Sequence, residues 1–503
     1  MALPKVNVNV GEQTLLANNT EIPFVPAVIM KTKSGPIGTI ETITSEAQFK
    51  ALFGESDYTT PSAYAIQVYL RSYSYILVTR IANTEEAKKG TGKMTATISD
   101  RSVDLISAET NYETDLFNGK EIVLKYDGTN HKLYLDVSAI TGKNTISIKE
   151  DFMADTAKAN ELETALNKLI VSINASNLGF KLTNMFTNKT ASDPIPEVSA
   201  FTDGFSMFIS EGDSGNTTAV DNEKVKELID KYDLPDRYID VLVIPEYNNY
   251  EVVNYATALA LKNNFEVLVS VKGQSTADVI QNVSNYNVDN RGSLAIYYPD
   301  VYYYGFNNAE GNPQAIPLSI AVLHAYAKTD MNNKWGAPAG VSRGNLTLVS
   351  DLTAQLSEDM ISTLYDNVIP INCINNISGK GFIVWGNKTA TSTSDFFDRV
   401  NVARLVKYIT KKVYDISWDY LFEPITNNVF TEWTGRVENL LTTIKDNYGI
   451  SDFQVIMDDT INTETTIAAN QLNGIVKIKP QEVAEFINID FTITDIISAS
   501  VEA

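Results

Sequence analysis

Few side chains in this sequence are of the types that do chemistry at neutral pH. There are two histidines, His131 and His324, and one cysteine, Cys373. A serine or cysteine nucleophile needs a general base, and here the base would have to be one of those histidines. His131 falls in a predicted hairpin turn and His324 mid-helix among Ile320, Leu323 and Tyr326, so each reads better as a satisfied core or surface histidine. No Gly-x-Ser-x-Gly elbow occurs, and Gly90-Thr-Gly-Lys93 is only a fragment of a phosphate loop. Two histidines and one cysteine make no Cys/His zinc set, and a lone cysteine closes no intrachain disulfide. The pairs Asp458-Asp459 and Glu358-Asp359 could hold a hard cation or exchange protons, but solvated carboxylates are the simpler reading on an acidic chain. Tyr297-Tyr298 and Tyr302-Tyr303-Tyr304 could stack on a sugar; beside Pro299-Asp300 they read more simply as strand residues flanking a turn. No catalytic, cofactor-binding or metal-binding set emerges, so neither an enzyme nor a cofactor is expected.

One charge pattern rises above this background. Between Arg399 and Val413 there are five basic residues and no acid. At about 100° per residue, Val402, Leu405, Val406, Ile409, Val413 and Ile416 share one arc of a helix, and Arg404, Lys407 and Lys411 share another face. Either a solvated helix face or a contact with an acidic partner fits that arrangement.

The surrounding elements are set by periodicity. A globular opening runs from Ile22 through the apolar Phe24-Val-Pro-Ala-Val-Ile-Met and a helix capped by Ser45 and closed by Gly54, then a helix from about 61 to 72 and a strand at 75–80. Residues 85–200 change to short alternating segments with one helix near 155–174 and read as a mostly β insertion. From 219 to 330 helices and strands alternate, which predicts a covered α/β sheet. Ligands in such sheets bind beyond the carboxyl ends of the strands, yet the loop Pro245-Glu-Tyr-Asn-Asn there lacks the glycines that a pyrophosphate needs. The last third, with helices near 396–416 and 429–447 and strands near 453–457 and 475–478, reads as a small α+β unit.

The 503 residues suggest about three domains. With 40 Lys plus Arg against 62 Asp plus Glu the formal charge is −22, which repels a polyanion, so nucleic-acid binding is not expected. No apolar run approaches the ~18 residues of a membrane span, so no membrane insertion is expected. The first ten residues hold no apolar stretch behind a basic start; no secretory leader is expected and folding in the cytoplasm is the default.

Several segments resemble the contractile tail sheath proteins of bacteriophages and related injection machines. Gly35-Pro-Ile-Gly38, Ile43-Thr-Ser-Glu-Ala-Gln-Phe-Lys-Ala-Leu-Phe-Gly54 and Leu77-Val-Thr-Arg80 look like that family's opening block. Trp335-Gly-Ala-Pro-Ala-Gly340, Ile371-Asn-Cys-Ile374 and Gly379-Lys-Gly-Phe-Ile-Val-Trp-Gly386 resemble its central signature. The strongest stretch is C-terminal: Asn401-Val-Ala-Arg-Leu405, Phe422-Glu-Pro424, Trp433, Asn462-Thr463 and Ile478-Lys-Pro480.

The resemblance implies an α/β and α+β multidomain fold. An N-terminal arm (1–20) precedes an α/β sheath core (21–84 with 201–370), which carries an outward β-rich domain (85–200); an inner α+β domain (371–486) and a C-terminal arm (487–503) complete the chain. It further implies a homo-oligomer of stacked hexameric rings in a helical sheath, with a tail tube, a baseplate and a tail terminator as partners. The function implied is contraction that drives the tube through a bacterial envelope from a virion assembled in the host cytoplasm. A sheath of a phage-like bacteriocin or other injection system is the nearest alternative, and a soluble α/β enzyme or carbohydrate-binding protein a more distant one. An inward-facing C-terminal domain makes Arg404, Lys407 and Lys411 the candidates for tube contact. Val6, Val8 and Val10 alternate with asparagine, and Ile487, Ile489, Phe491 and Ile493 alternate with polar residues, a strand period at both chain ends. With the family in view these arms are expected to join neighbouring subunits by strand exchange.

Overall fold

Eight strands form the central sheet among the residues described in the computed structural model, which are 24–141, 149–154, 156–233, 238–332, 334–392 and 396–485. In chain order they are β1 (Pro26–Met30), β2 (Ile40–Ile43), β3 (Ile76–Arg80), β4 (Val241–Val243), β5 (Glu266–Ser270), β6 (Leu294–Tyr298), β7 (Asn372–Ile377) and β8 (Gly381–Trp385). They lie side by side as β8-β7-β6-β5-β4-β1-β3-β2. The six inner strands run parallel, and the two edge strands are antiparallel to their neighbours.

A parallel sheet is covered on both faces, so its strands need apolar residues at successive positions. Ala27-Val-Ile-Met meets that demand: Val28 and Met30 enter one core, Ala27 and Ile29 the other. The first core is roofed by α1 (Glu46–Phe53) and α2 (Pro61–Tyr69), with Phe49, Phe53, Ile66 and Tyr69 facing in. The Ser45 hydroxyl accepts from the Gln48 amide and Gly54 ends α1, as the sequence predicts. The second core is roofed by α3 (Asn222–Asp230), α4 (Tyr250–Asn263) and α5 (Thr276–Val283), through residues such as Val225, Val252, Ala256 and Val279. Later in the chain come α6 (Leu323–Asn332) and α7 (Glu358–Tyr365).

The insertion has a core of its own, including Met94, Leu105, Leu124, Leu166 and Phe201. Lys89–Ile98 alternates exposed and buried residues along its whole length, so one face meets water and the other meets the helix Ala159–Ala175 and a second sheet. Its far boundary is not residue 200. Phe205–Phe208 pairs with the strand Glu121–Asp127, and Lys88 bridges Asp213, which moves the closing point to about residue 213. The four residues Phe205-Ser-Met-Phe are too short a run to declare a strand from sequence, but Phe205 and Met207 supply core that the insertion would otherwise lack.

The core's own boundary also moves. β7 and β8 complete the central sheet, so residues 372–385, expected in the C-terminal unit, belong to the core. Beyond them the chain builds a separate layer: α8 (Val400–Trp418), α9 (Asn427–Asp446), and a two-stranded antiparallel sheet of β9 (Ile450–Ile456) and β10 (Ile475–Pro480). Leu405, Ile409, Phe430, Trp433, Val437, Leu441 and Ile444 form its apolar center.

Candidate assembly site

The basic face of α8 is not a surface. Lys411 is 2% exposed; its Nζ donates to the Ile239 carbonyl at 2.7 Å and lies 3.6 Å from Asp240 Oδ1 and 3.7 Å from the Tyr238 ring center. Lys407 Nζ donates to the Gly292 carbonyl at 2.6 Å. Arg404 Nη2 donates to Asp330 Oδ1 at 2.6 Å, with the guanidinium 4.7 Å from the Tyr326 ring center. Glu266, the first residue of β5, is fully buried beside them. Burial pushes the Lys407 ammonium down to about 7 and Lys411 down to about 8, and pushes the carboxyls of Glu266 up to about 7 and Asp330 up to about 6.

This corrects the expectation that Arg404, Lys407 and Lys411 face a tube. The helix is buried on two sides. Leu405 and Ile409 face α9, while the cations reach the carbonyls just ahead of β4 and β6 and the carboxylate on α6. Buried cations survive only with partners, and here the partners sit at the amino ends of the core strands and on α6. The sequence signal lay in Asp240, Glu266 and Asp330, three acids on elements that pack together only after folding.

The other candidates resolve as structural residues. His324 is buried with its ring 5.3 Å from Tyr69 and 5.6 Å from Tyr73, and burial alone pushes it down to about 4. His131 sits in a turn at φ 50°, with Nδ1 3.2 Å from the Tyr126 hydroxyl. Glu358 and Asp359 occupy the first turn of α7 behind the Ser357 cap, where the helix dipole favors anions. Asp458 accepts from the Thr460 amide at 2.9 Å. Tyr297 and Tyr298 are buried in β6; in the next strand Tyr303 is buried, Tyr302 half-buried and Tyr304 exposed, the in-and-out alternation of a strand. Cys373 is buried in β7. Among the described residues no group of three His, Cys, Asp or Glu could hold a metal ion, and no helix is long and apolar enough to cross a membrane.

The open feature of the C-terminal layer is its small sheet. β9 and β10 pair only with each other among the described residues, leaving both outer edges without a strand. Beside β10 runs an apolar groove of about 390 Å³, lined by Phe396, Val406, Ile409, Val413, Val476 and Ile478. Phe396 is 72% exposed there. Val6, Val8, Val10, Ile487, Ile489, Phe491 and Ile493 lie outside the described residues.

No protein-family model matches the sequence. The chain is homologous to phage tail sheath proteins: it is 32% identical over 196 residues to that of Vibrio phage KVP40 and 32% identical over 182 residues to that of Enterobacteria phage T4. These alignments cover 38% and 36% of the chain but only 29% and 27% of the two relatives, so the chain matches less than a third of their length. The fold agrees over a much longer span. The helical sheath of the anti-feeding prophage in its contracted state matches with a TM-score of 0.53 at 16% identity, over 98% of this chain and 99% of that one. The sheath tail protein of Desulfitobacterium hafniense matches with a TM-score of 0.57 at 12% identity, over 90% and 94%. The sheath complex of an extracellular contractile injection system, also contracted, gives 0.56 at 14%, over 98% of both chains. The mixed α/β multidomain architecture is therefore the one found in sheath subunits.

Proposed function

We propose that the chain is a structural subunit of a contractile tail sheath. It polymerizes as stacked hexameric rings in a helix around a tail tube and shortens to drive the tube through a bacterial envelope during genome delivery. It is not an enzyme and uses no cofactor. The observation that carries this reading is the agreement of nearly the whole chain with a helical sheath subunit, alongside its homology to phage tail sheath proteins. The phage setting is preferred to an injection system because the 32% relatives are phage proteins, whereas the injection-system sheaths stand at 14–16%. Its partners are other copies of the chain, the tube, a baseplate and a tail terminator, in a virion assembled in the host cytoplasm. The insertion forms the outer face.

Subunits are joined through their arms. A two-stranded sheet is marginal alone, and among the described residues β9–β10 has two open edges beside an apolar groove. One arm from each of two neighbors, carrying Val6, Val8 and Val10 or Ile487, Ile489, Phe491 and Ile493, completes four strands by β-augmentation. Negative-stain microscopy of the expressed chain should show tubes, and removing 1–12 or 487–503 should leave a folded chain that forms none. Normal tubes from either truncation would refute the arm exchange, while a stable monomer that turns over or binds a small ligand would refute the sheath reading itself.

A further inference from the structure

The C-terminal layer meets the core across a seam rich in charge. Its hydrophobic cluster is separate from both clusters of the central sheet. α8 packs closely on α9, and it meets the entrances of the core strands through Ala403 against Gly292 and through its long basic side chains. Across that seam stand Arg404, Lys407 and Lys411 on one side and Asp240, Glu266 and Asp330 on the other. Val400, in the core cluster, and Trp335, packed on the C-terminal cluster, supply apolar contact at its ends.

The network is also incompletely satisfied. Glu266 Oε2 and Arg404 Nη1 are buried without a hydrogen-bond partner among the described residues. A cavity of about 20 Å³ adjoins Asp330, Arg404, Lys407 and Lys411, roughly the space of one water molecule. A half-satisfied buried network holds two bodies together less firmly than packed apolar residues of the same volume. It has a compensating property: on separation its charged groups hydrate.

We propose that this seam is a polar latch, from which the C-terminal layer undocks and to which it returns while both bodies stay folded. The start of α8 is the pivot, because it stays tied to the core: the Val400 amide donates to the Asn387 carbonyl at 2.8 Å, and Asn387 Nδ2 donates to Asn401 Oδ1 at 2.8 Å. Undocking moves β9 and β10, with their open edges, relative to the central sheet. The inference rests on the interior of one subunit and stands apart from the sheath reading.

The test uses the unassembled full-length chain and its native side chains. Lys407 and Lys411 react with an amine reagent only when the seam opens, and Cys373, buried in β7, reacts with a thiol reagent only when the core opens. Each rate is compared with that of the urea-unfolded chain, read by peptide mass spectrometry. The latch predicts that both lysines are at least tenfold less protected than Cys373. Asp330→Asn, which removes the Arg404 partner, should lower their protection at least tenfold more and leave Cys373 unchanged. A second variant guards against misfolding of the first: the Glu266→Gln/Lys407→Met chain should protect Lys411 tenfold better than the parent. Lysines as protected as Cys373, or lysine protection unmoved by a folded variant of either kind, would overturn the proposal.

Discussion

Arg80 ends β3 and is fully buried at the root of the insertion. Its Nη1 donates to the Gly35 carbonyl at 2.5 Å, and its Nη2 donates to the carbonyls of Glu113 at 2.9 Å and Ser214 at 2.8 Å. Glu113 ends the strand Arg101–Glu113, opposite Lys89 where the chain enters the insertion, and Ser214 lies where the chain returns, so one guanidinium ties both sides of the root to the core. Replacing it with methionine keeps most of the volume and removes three charge-assisted bonds of about 1.5–3 kcal/mol each. Burial opposes part of that gain, since it pushes Arg80 down to about 10, a penalty of about 3 kcal/mol that methionine does not carry. The difference leaves a net loss of about 1–6 kcal/mol, most of it local to the root. Urea unfolding of the unassembled chain combined with hydrogen exchange would measure it, with the amides of Asn83 and Lys88, which donate to Gly215 and Asp213, as reporters. The cost should shrink to under ~1 kcal/mol in a chain without the insertion, where two of the three carbonyls are absent. A loss below ~0.5 kcal/mol in the full chain, or an equal loss with and without the insertion, would refute the assignment.

His324 has its pKa lowered by burial, so the folded state takes up fewer protons than the unfolded one; stability is full above pH 6.5 and falls by about 3 kcal/mol as the pH drops to 4. His324→Phe should remove that slope, read as the difference between the two stability curves so that the raised carboxyls cancel. Trp433→Ala, at a residue 4% exposed whose Nε1 donates to Ser417 Oγ at 2.9 Å, should cost about 3–5 kcal/mol in the C-terminal layer, measured by urea unfolding. Replacing residues 84–214 with a short Gly/Ser linker should leave tube formation intact under the microscope, since the Asn83 amide already donates to the Gly215 carbonyl at 2.8 Å. Arg404→Glu/Lys407→Glu/Lys411→Glu should undock the C-terminal layer in the isolated chain whether or not any tube is present, seen as a larger radius of gyration in small-angle scattering with an unchanged circular dichroism spectrum.

The central sheet was legible because a covered parallel strand announces itself. Val241-Leu-Val and Val267-Leu-Val can be read directly as strands, Ala27-Val-Ile-Met as a buried apolar run, and Ser45 marks the first helix. Boundaries were less legible, because they depend on pairing. Phe205–Phe208 is a strand only because Glu121–Leu124 lies beside it, and Asn372–Ile377 belongs to the core only because it pairs with β6. Neither contact leaves a mark in the local sequence.

The basic face of α8 shows where periodicity stops being informative. An arc of valine, leucine and isoleucine identifies one buried side, and the habit of placing charge in water then assigns Arg404, Lys407 and Lys411 to the surface. That assignment holds for a helix that covers one core. α8 lies between two bodies, so its polar face is the second interface, and it is polar because the groups it meets there are backbone carbonyls at strand entrances and acids on β5 and α6. The charge balance carried the missing hint. With 62 acids against 40 bases, a stretch of five cations and no acid is improbable as plain solvated surface. Its acidic partner exists, inside the same chain.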